Sequence, residues 1–423
     1  MITNIKDKLQ RINKDHLKLL SDIGIVAENS DLKAYLVGGM IRDILLGYDN
    51  LDIDIVVENN AQALAEALVK KFPNCELSAK HDKFHTAKVI FNINGNKIPV
   101  DLASTREEIY KHPAALPTVS ISDLKNDLIR RDFTINALAV SILPHDFGEV
   151  VDLFHGLDDL KDKKIRILHD LSFIDDPTRM IRAVRFAVKL GFEIESKTKK
   201  LLEQAVNSGD FDNLIQKIRG DRVRIEIRYL FNLTNIKNAV NMLIDTKIFN
   251  LISIDLNFAV MDELWNATKY IPGKHENLWL IYSALFMRNL DDEKKLNIMK
   301  NLQLSGNEIS IVCKGFEAYN SLINSQKTDS VSVYKILRDL SKESLILTES
   351  LAVNDKILPF IQEYLERTSK IKLEITGQDL IAMGIKEGKQ LGDILNKILE
   401  IKINKPLMKK DSEIEEAKKL LKD

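Results

Sequence analysis

The chain has 423 residues, with 61 lysines and arginines against 62 aspartates and glutamates and an apolar fraction of 45%. That is enough apolar material for several packed cores, so disorder is not the default, and the near-balanced charge argues against a wholly basic coat of the histone kind while permitting one basic cleft. Cys75 and Cys313 are too few and too far apart for a disulfide scaffold or a zinc site, so a reducing cytoplasm is the expected setting. The opening residues lack the apolar stretch of a signal peptide, and runs such as "LISIDLNFAVM" are short and carry an acid, which excludes an integral membrane protein.

In chain order, "KAYLV" predicts a strand, Gly38-Gly39 its turn, "MIRDILLG" a helix, "LDIDIVV" a second strand and "AQALAEALVKKF" a second helix. "HTAKVIF" and "KIPVDLAS" predict two more strands. After Asp170 the periodicity is helical, with helices expected at roughly 160–230, 234–320, 331–369 and 377–421, joined by polar stretches such as "SQKTDS" and "RTSKIKLE". The expected object is an elongated one, with a small α/β head followed by helical segments.

Three clusters carry chemistry. Side chains alternate across a strand, so Asp52 and Asp54 leave one face while Leu51, Ile53 and Ile55 pack the other. Two carboxylates held together repel each other and call for a cation, and oxygen ligands with no nearby His or Cys favour magnesium over zinc. Asp101 completes the group if "IPVDLAS" lies beside "LDIDIVV"; the bland alternative is a solvated strand face. Gly38-Gly39 permits a tight turn into a helix whose unpaired N–H groups suit an anion, and Arg42, one turn in, adds a forked cation for phosphate. Metal acids and a phosphate cradle together suggest phosphoryl or nucleotidyl transfer.

In "IRRDFTINALAV" a turn of helix brings Asp132 and Asn136 to one side, with a plain helix cap as the alternative for Asp132. In "DDPTRMIRAVRFAVKLGF", Asp176-Pro177 predicts a capped helix start. At about 100° per residue from Met180, the apolar Met180, Ile181, Val184, Ala187 and Val188 span about −20° to 100°, and Arg179, Arg182 and Arg185 span about 140° to 260°. The arginines therefore oppose the core stripe and call for a polyanion or nearby acids. Phe186 interrupts their side and is expected to stack on a base or pack against the head.

In this order, "LVGGMIRDILLG" with "LDIDIVV", "RRDFTINALA", "VDLFHGLDDL", "DDPTRMIRAVRF" and "DRVRIEI" resemble the bacterial tRNA nucleotidyltransferase and poly(A) polymerase family, class II of the polymerase-beta-like nucleotidyltransferases. The tail stretch "ITGQDLIAMGIKEGKQLGDIL" is similar to the family's distal domain. The resemblance implies a nucleotidyltransferase head (1–155), an all-α neck with a nucleotide-selecting motif (156–230), a helical body (231–330) and a helical tail (331–423) that grip the tRNA acceptor end. It implies template-independent addition of CMP and/or AMP from CTP and ATP to the tRNA 3′ end, with Mg2+ as cofactor.

Carried over by position, Gly38, Gly39 and Arg42 hold the triphosphate, Asp52 and Asp54 bind metal with Asp101 in the catalytic group, and Arg131, Asp132 and Asn136 join the nucleotide site. Asp176 and Arg179, followed by Arg182 and Arg185, read the base edge. Many members have Glu-Asp where this chain has Asp175-Asp176, and often Glu where it has Asp221. The "FIDDPTR" form resembles members that split CC addition and A addition between two enzymes. "HDKFHTAKVIF" stands where the poly(A) branch has its Gly-Arg-Arg/Lys-Phe-like signature, which favours tRNA. A non-catalytic RNA-binding relative is expected to lose Asp52 or Asp54, and a small-nucleotide phosphohydrolase needs more than the lone "HD" at 81–82. RNA contacts are expected from Lys217, Arg219, Arg222, Arg224 and Arg228 and from "IKINKPLMKK". The segment from 102 to 129 is expected to hold a loop that switches nucleotide preference.

Overall fold

The computed structural model describes residues 4–49, 52–110, 112, 114–115, 117–209, 220–248, 277–325, 328–385, 388–405 and 409–421. The chain divides into two compact units, Met1–Ser253 and Ile254–Asp423. In the first, seven strands form one mixed sheet in the order β3-β4-β5-β2-β1-β8-β9. These are β1 (Ala34–Val37), β2 (Ile53–Val57), β3 (Cys75–His81), β4 (Thr86–Ile93), β5 (Asn96–Ser104), β8 (Ala139–Ser141) and β9 (Val150–Val151). Between β5 and β8 a separate hairpin pairs β6 (Arg106–Ile109) with β7 (Thr118–Ile121).

The four strands expected from sequence are present as β1, β2, β4 and β5, and β3, β8 and β9 of the sheet and the β6–β7 hairpin were not expected. β3 escapes notice because its residues are mostly exposed and polar, as befits an edge strand. β4 and β5 are joined at Asn94-Gly95, both with positive φ (50° and 81°), the conformation favoured by a two-residue hairpin turn. β5 then runs parallel to β2, with Asp54 paired to Asp101 and Ile53 to Val100.

Alternation decides the layering. Ile53 and Ile55 are buried, while Asp52 and Asp54 are exposed. The helix Ala61–Lys71 buries Ala61, Leu64, Ala65 and Leu68, one face at helical spacing, and packs on β3, β4 and β5. Val37, Val56 and Ala139 of the sheet pack with Leu124, Leu128 and Ala137.

The following helices include Gly156–Lys161, Ser172–Asp175, Thr178–Leu190, Ser196–Asn207 and Gly220–Phe231. The neck expected to be all-α also contains a parallel pair, β10 (Lys164–Ile165) with β11 (Glu193–Ile194); two-residue strands are too short to leave a period in the sequence. Thr178–Leu190 begins one residue later than expected, with Pro177 rather than Asp176 at the cap position; the Asp176 carboxylate stands just before it and accepts the Thr178 N–H at 3.1 Å.

Among the described residues the second unit is helical. Ala318, Leu322, Val333, Leu337, Ile357 and Ile361 share one core, and Ile375, Leu380, Ile394, Ile398 and Ala417 share another. Within the basic run "IKINKPLMKK", Lys402 is a correction to the expected RNA surface. It is buried on the same helix face as Ile394 and Ile398 and is paired with the fully buried Glu413, which also accepts the N–H groups of Glu374 (2.8 Å) and Ile375 (2.9 Å). Lys410 is exposed and pairs with Asp379 at 3.0 Å. Residues 406–408 of that run lie outside the described residues.

Candidate active site

A cavity of about 560 Å³ opens in the first unit where the glycine turn meets the arginine stripe. Gly38, Gly39, Arg42, Asp52, Arg131, Asp132, Asn136, Asp176, Arg179, Arg182 and Arg185 all line it. Asp54 and Asp101 line a neighbouring cavity of about 380 Å³, and Arg130 and Arg131 line both. Every expected catalytic or nucleotide residue is thus in one of two adjoining hollows.

The glycine turn begins at Gly38, whose φ of 79° belongs to the left-handed side that glycine adopts without strain. A Cβ there would stand 3.6 Å from Asp54 Oδ2 and 3.7 Å from Arg131 Nη1, so the turn passes directly over the acids. Gly38 is the N-cap of the helix Gly39–Leu46 and makes no side-chain cap, leaving its first N–H groups directed at the turn.

Although the Asp54 side chain reaches solvent, the protein packed around its carboxyl, reinforced by Asp101 and Asp52 and opposed by Arg131 and Lys88, pushes it up to about 6. Lys88 reaches Asp101 at 3.1 Å from the adjacent strand. The donors are all carboxylate oxygens, a set suited to a hard divalent cation. Among the described residues, no three His, Cys, Asp or Glu side chains are gathered closely enough to ligate an ion by themselves.

Arg42 is buried, donating from Nε to Asp43 (2.7 Å) and from Nη1 to Asn136 (2.7 Å). Its neighbour Asp43 is therefore an internal ion-pair partner, and Arg42 reaches the cavity with only part of its donor set. Asn136 donates to Asp132 at 2.9 Å, brought there by a 3-10 turn, Thr134–Asn136, where an α-helical turn was expected. Asp132 accepts from Arg182 Nε at 3.0 Å. Burial alone would raise the Asp132 carboxyl, but Arg182, Asn136 and Arg179 outweigh it and hold it below the usual range.

The acids that offset the stripe are Asp132 and Glu226. Glu226 is buried and accepts from Arg182 Nη1 and from Arg185 Nε, both at 2.8 Å. Arg179 donates to Ser172 Oγ at 2.8 Å and to the Arg130 carbonyl. Asp176 accepts from Arg222 at 2.6 Å, which makes Arg222 internal to the neck. Phe186 packs against the head, edge-on to Phe133 at 5.8 Å, with the guanidiniums of Arg185, Arg42 and Arg182 over its ring at 4.4, 5.0 and 5.5 Å.

Sequence reasoning missed Glu108, Tyr110, Asp127 and Lys189. Tyr110 donates to Glu108 at 2.8 Å, and Glu108 accepts from Arg130 at 2.9 Å, tying the β6–β7 hairpin to the cavity wall. The fully buried Asp127 accepts from both Arg130 (2.7 Å) and Arg131 (2.9 Å); its spacing, three and four residues before them, was a readable signal. Of the expected RNA contacts, Arg224 is half-buried and Arg228 exposed; Lys217 and Arg219 lie outside the described residues.

Residues 34–166 match the family model for the poly A polymerase head domain, 191–256 that for a probable RNA and SrmB-binding site of polymerase A, and 272–417 that for tRNA nucleotidyltransferase domain 2. A CCA-adding enzyme of Leuconostoc mesenteroides is 31% identical, covering 88% of each chain. The chain belongs to the tRNA nucleotidyltransferase and poly(A) polymerase family. A Thermotoga maritima CCA-adding enzyme complexed with tRNA-CCA superposes with a TM-score of 0.80 at 30% identity, over 99% of this chain and 98% of that one. An A-adding tRNA nucleotidyltransferase of Geobacter sulfurreducens is 34% identical over 95% of this chain and 47% of its own length. The present chain spans about half the length of that relative. The α/β head with a mostly helical remainder is the architecture that membership of this family entails.

Proposed function

We propose that this chain is a magnesium-dependent, template-independent tRNA nucleotidyltransferase that transfers CMP and/or AMP from CTP and ATP to the tRNA 3′ end and releases pyrophosphate. The observation that carries this is the meeting of an acid-lined glycine turn with a neighbouring acid and arginine, Asp176 and Arg179, 4.0 Å apart in one cavity. Asp52 and Asp54 would hold the divalent cation, with Asp101 beside them in the catalytic group; the cation when bound would lower the pKa of the attacking hydroxyl and neutralise charge on the phosphates. Gly38 and Gly39 receive the triphosphate on backbone N–H groups, and Arg131, fixed by Asp127, adds a charged donor beside it.

Base choice falls to Asp176 and Arg179. A base edge that leaves either without its partner leaves a buried polar group unmet, which disfavours the wrong nucleotide by about 1–3 kcal/mol. Lys217, Arg219, Arg224 and Arg228 are proposed RNA contacts, and the helical segments after residue 230 the grip on the acceptor region. No helix among the described residues is long and apolar enough to cross a membrane, which accords with a cytoplasmic enzyme. The A-adding specialist is the second reading, favoured by the Geobacter sulfurreducens relative's name and by the Asp175-Asp176 form of the neck motif.

The test uses tRNA transcripts ending at the discriminator base, after C and after CC, each with CTP, ATP or both. CCA built on the first transcript establishes the full activity, and A added only after CC establishes the specialist. No incorporation on any tRNA, with extension of unstructured RNA by ATP, rejects both in favour of a poly(A) polymerase.

A further inference from the structure

The helix Gly220–Phe231 turns an apolar row outward. Val223, Ile227, Leu230 and Phe231 are buried, while Ile225 and Tyr229 are 46% and 57% exposed. At 100° per residue, Arg222, Ile225 and Tyr229 fall within an arc of roughly 60°. Arg222 lines the nucleotide cavity, so this row leads out of it, with Tyr229 about 10 Å further along the axis. Tyr229 is not an isolated surface aromatic. The Arg185 guanidinium lies over its ring at 5.2 Å and over Phe186 at 4.4 Å, and Arg185 and Phe186 both line the cavity. One face of the phenol ring is thus taken by a cavity-wall arginine, and its exposed area belongs to the rest of the ring.

We infer that Tyr229 is a stacking platform for an unpaired base at the 3′ end of the RNA, with Ile225 beside it and the exposed Arg228 meeting the backbone. This rests on the proposed transferase reading and assigns it a specific landing surface. An exposed ring backed by a guanidinium and flanked by further cations is the combination that holds single-stranded nucleic acid without reading its sequence. Indifference to sequence is what an acceptor surface needs when the end it holds changes with each addition. The occupant is single-stranded RNA and not a protein, because Arg185 lies over the Tyr229 ring, the exposed Arg228 adjoins it in the chain, and the row runs through Arg222 into a nucleotide cavity.

The experiment compares the parent, Tyr229→Phe and Tyr229→Ala as full chains, measuring direct binding of an acceptor minihelix and KM for minihelix, CTP and ATP separately. Tyr229→Ala should weaken minihelix binding roughly tenfold while the nucleotide KM values change less than about twofold, and Tyr229→Phe should restore binding. A minihelix with abasic unpaired 3′ nucleotides should bind the parent as weakly as the intact one binds Tyr229→Ala, and the two losses should not add. Additive losses, minihelix binding by Tyr229→Ala within twofold of the parent, or equal loss of nucleotide and RNA affinity would each overturn the platform. The last result would make Tyr229 a support for Arg185 alone. A parent that binds the minihelix but extends no RNA sinks the transferase reading while the binding cycle still decides the stacking.

Discussion

Both units bury cations, and they do so to different ends. In the tail, Lys402 is enclosed with Glu413, whose second oxygen takes two backbone N–H groups, and the pair fastens the last helix. In the neck, Arg179, Arg182 and Arg185 are also paired, with Ser172, Asp132 and Glu226, yet each lines a cavity. A buried ion pair is therefore no mark of function by itself, since removing a charge from water is costly wherever it happens. The mark is a buried cation whose partners satisfy one side of it and leave the other toward open space.

The widest separation between the two regions should come from the acids beside the cavity. Asp52→Asn or Asp54→Asn should keep the fold and reduce nucleotide incorporation by roughly a hundredfold or more, since each change removes a charged oxygen donor. Either variant with near-parent magnesium-dependent incorporation would end the metal assignment.

The tail pair should show the converse. Glu413→Gln leaves Lys402 enclosed with only the longer contact to Glu374 at 3.7 Å and should cost about 3 kcal/mol of stability, read as a lower urea midpoint, with KM for nucleotide unchanged at low temperature. A nucleotide defect in this variant would erase the distinction drawn above. Arg179→Ala is expected to be a smaller effect in energy, blurring the CTP-to-ATP preference by roughly tenfold, equivalent to about 1.4 kcal/mol. Unchanged selectivity would return the stripe to a structural role.

The smallest effect is a pH term. Because the Asp54 carboxyl is raised to about 6 in the folded chain, the metal-free fold binds an extra proton between the usual carboxylate range and about pH 6. Stability should fall as pH rises through that window. Asp54→Asn lacks the term, so melting of the metal-free variant should gain on the parent from pH 4 to 7, and parallel curves would contradict the shift.

The legible part of this molecule was the part with local spacing. Asp52 and Asp54 at period two, the glycine pair and the arginines at period three each announce a face without reference to anything distant. Glu226 was matched by motif, but its bridge between Arg182 and Arg185 joins residues 41 and 44 positions apart, which no local period reveals. The β6–β7 hairpin was hidden because "REEI" and "TVSI" are half-buried on neither a helical nor a clean alternating pattern. Lys402 is different. Ile394, Ile398 and Lys402 stand four apart, so the rotation count applied to the neck would have placed this lysine on the core stripe; its basic neighbours obscured that.

The Asn94-Gly95 turn has a reach beyond its size. It fixes which residue of β5 stands opposite each residue of β4, and so places Lys88 across from Asp101. Through the parallel pairing of β5 with β2, the same register puts Asp101 beside Asp54. A strand shifted by one position would offer Leu102 to the acids and turn Asp101 into the packed layer. The chain can therefore tolerate length changes in many surface connections, but an added residue at this one distant bend would travel along two strands and dismantle the acidic group without touching any of its members.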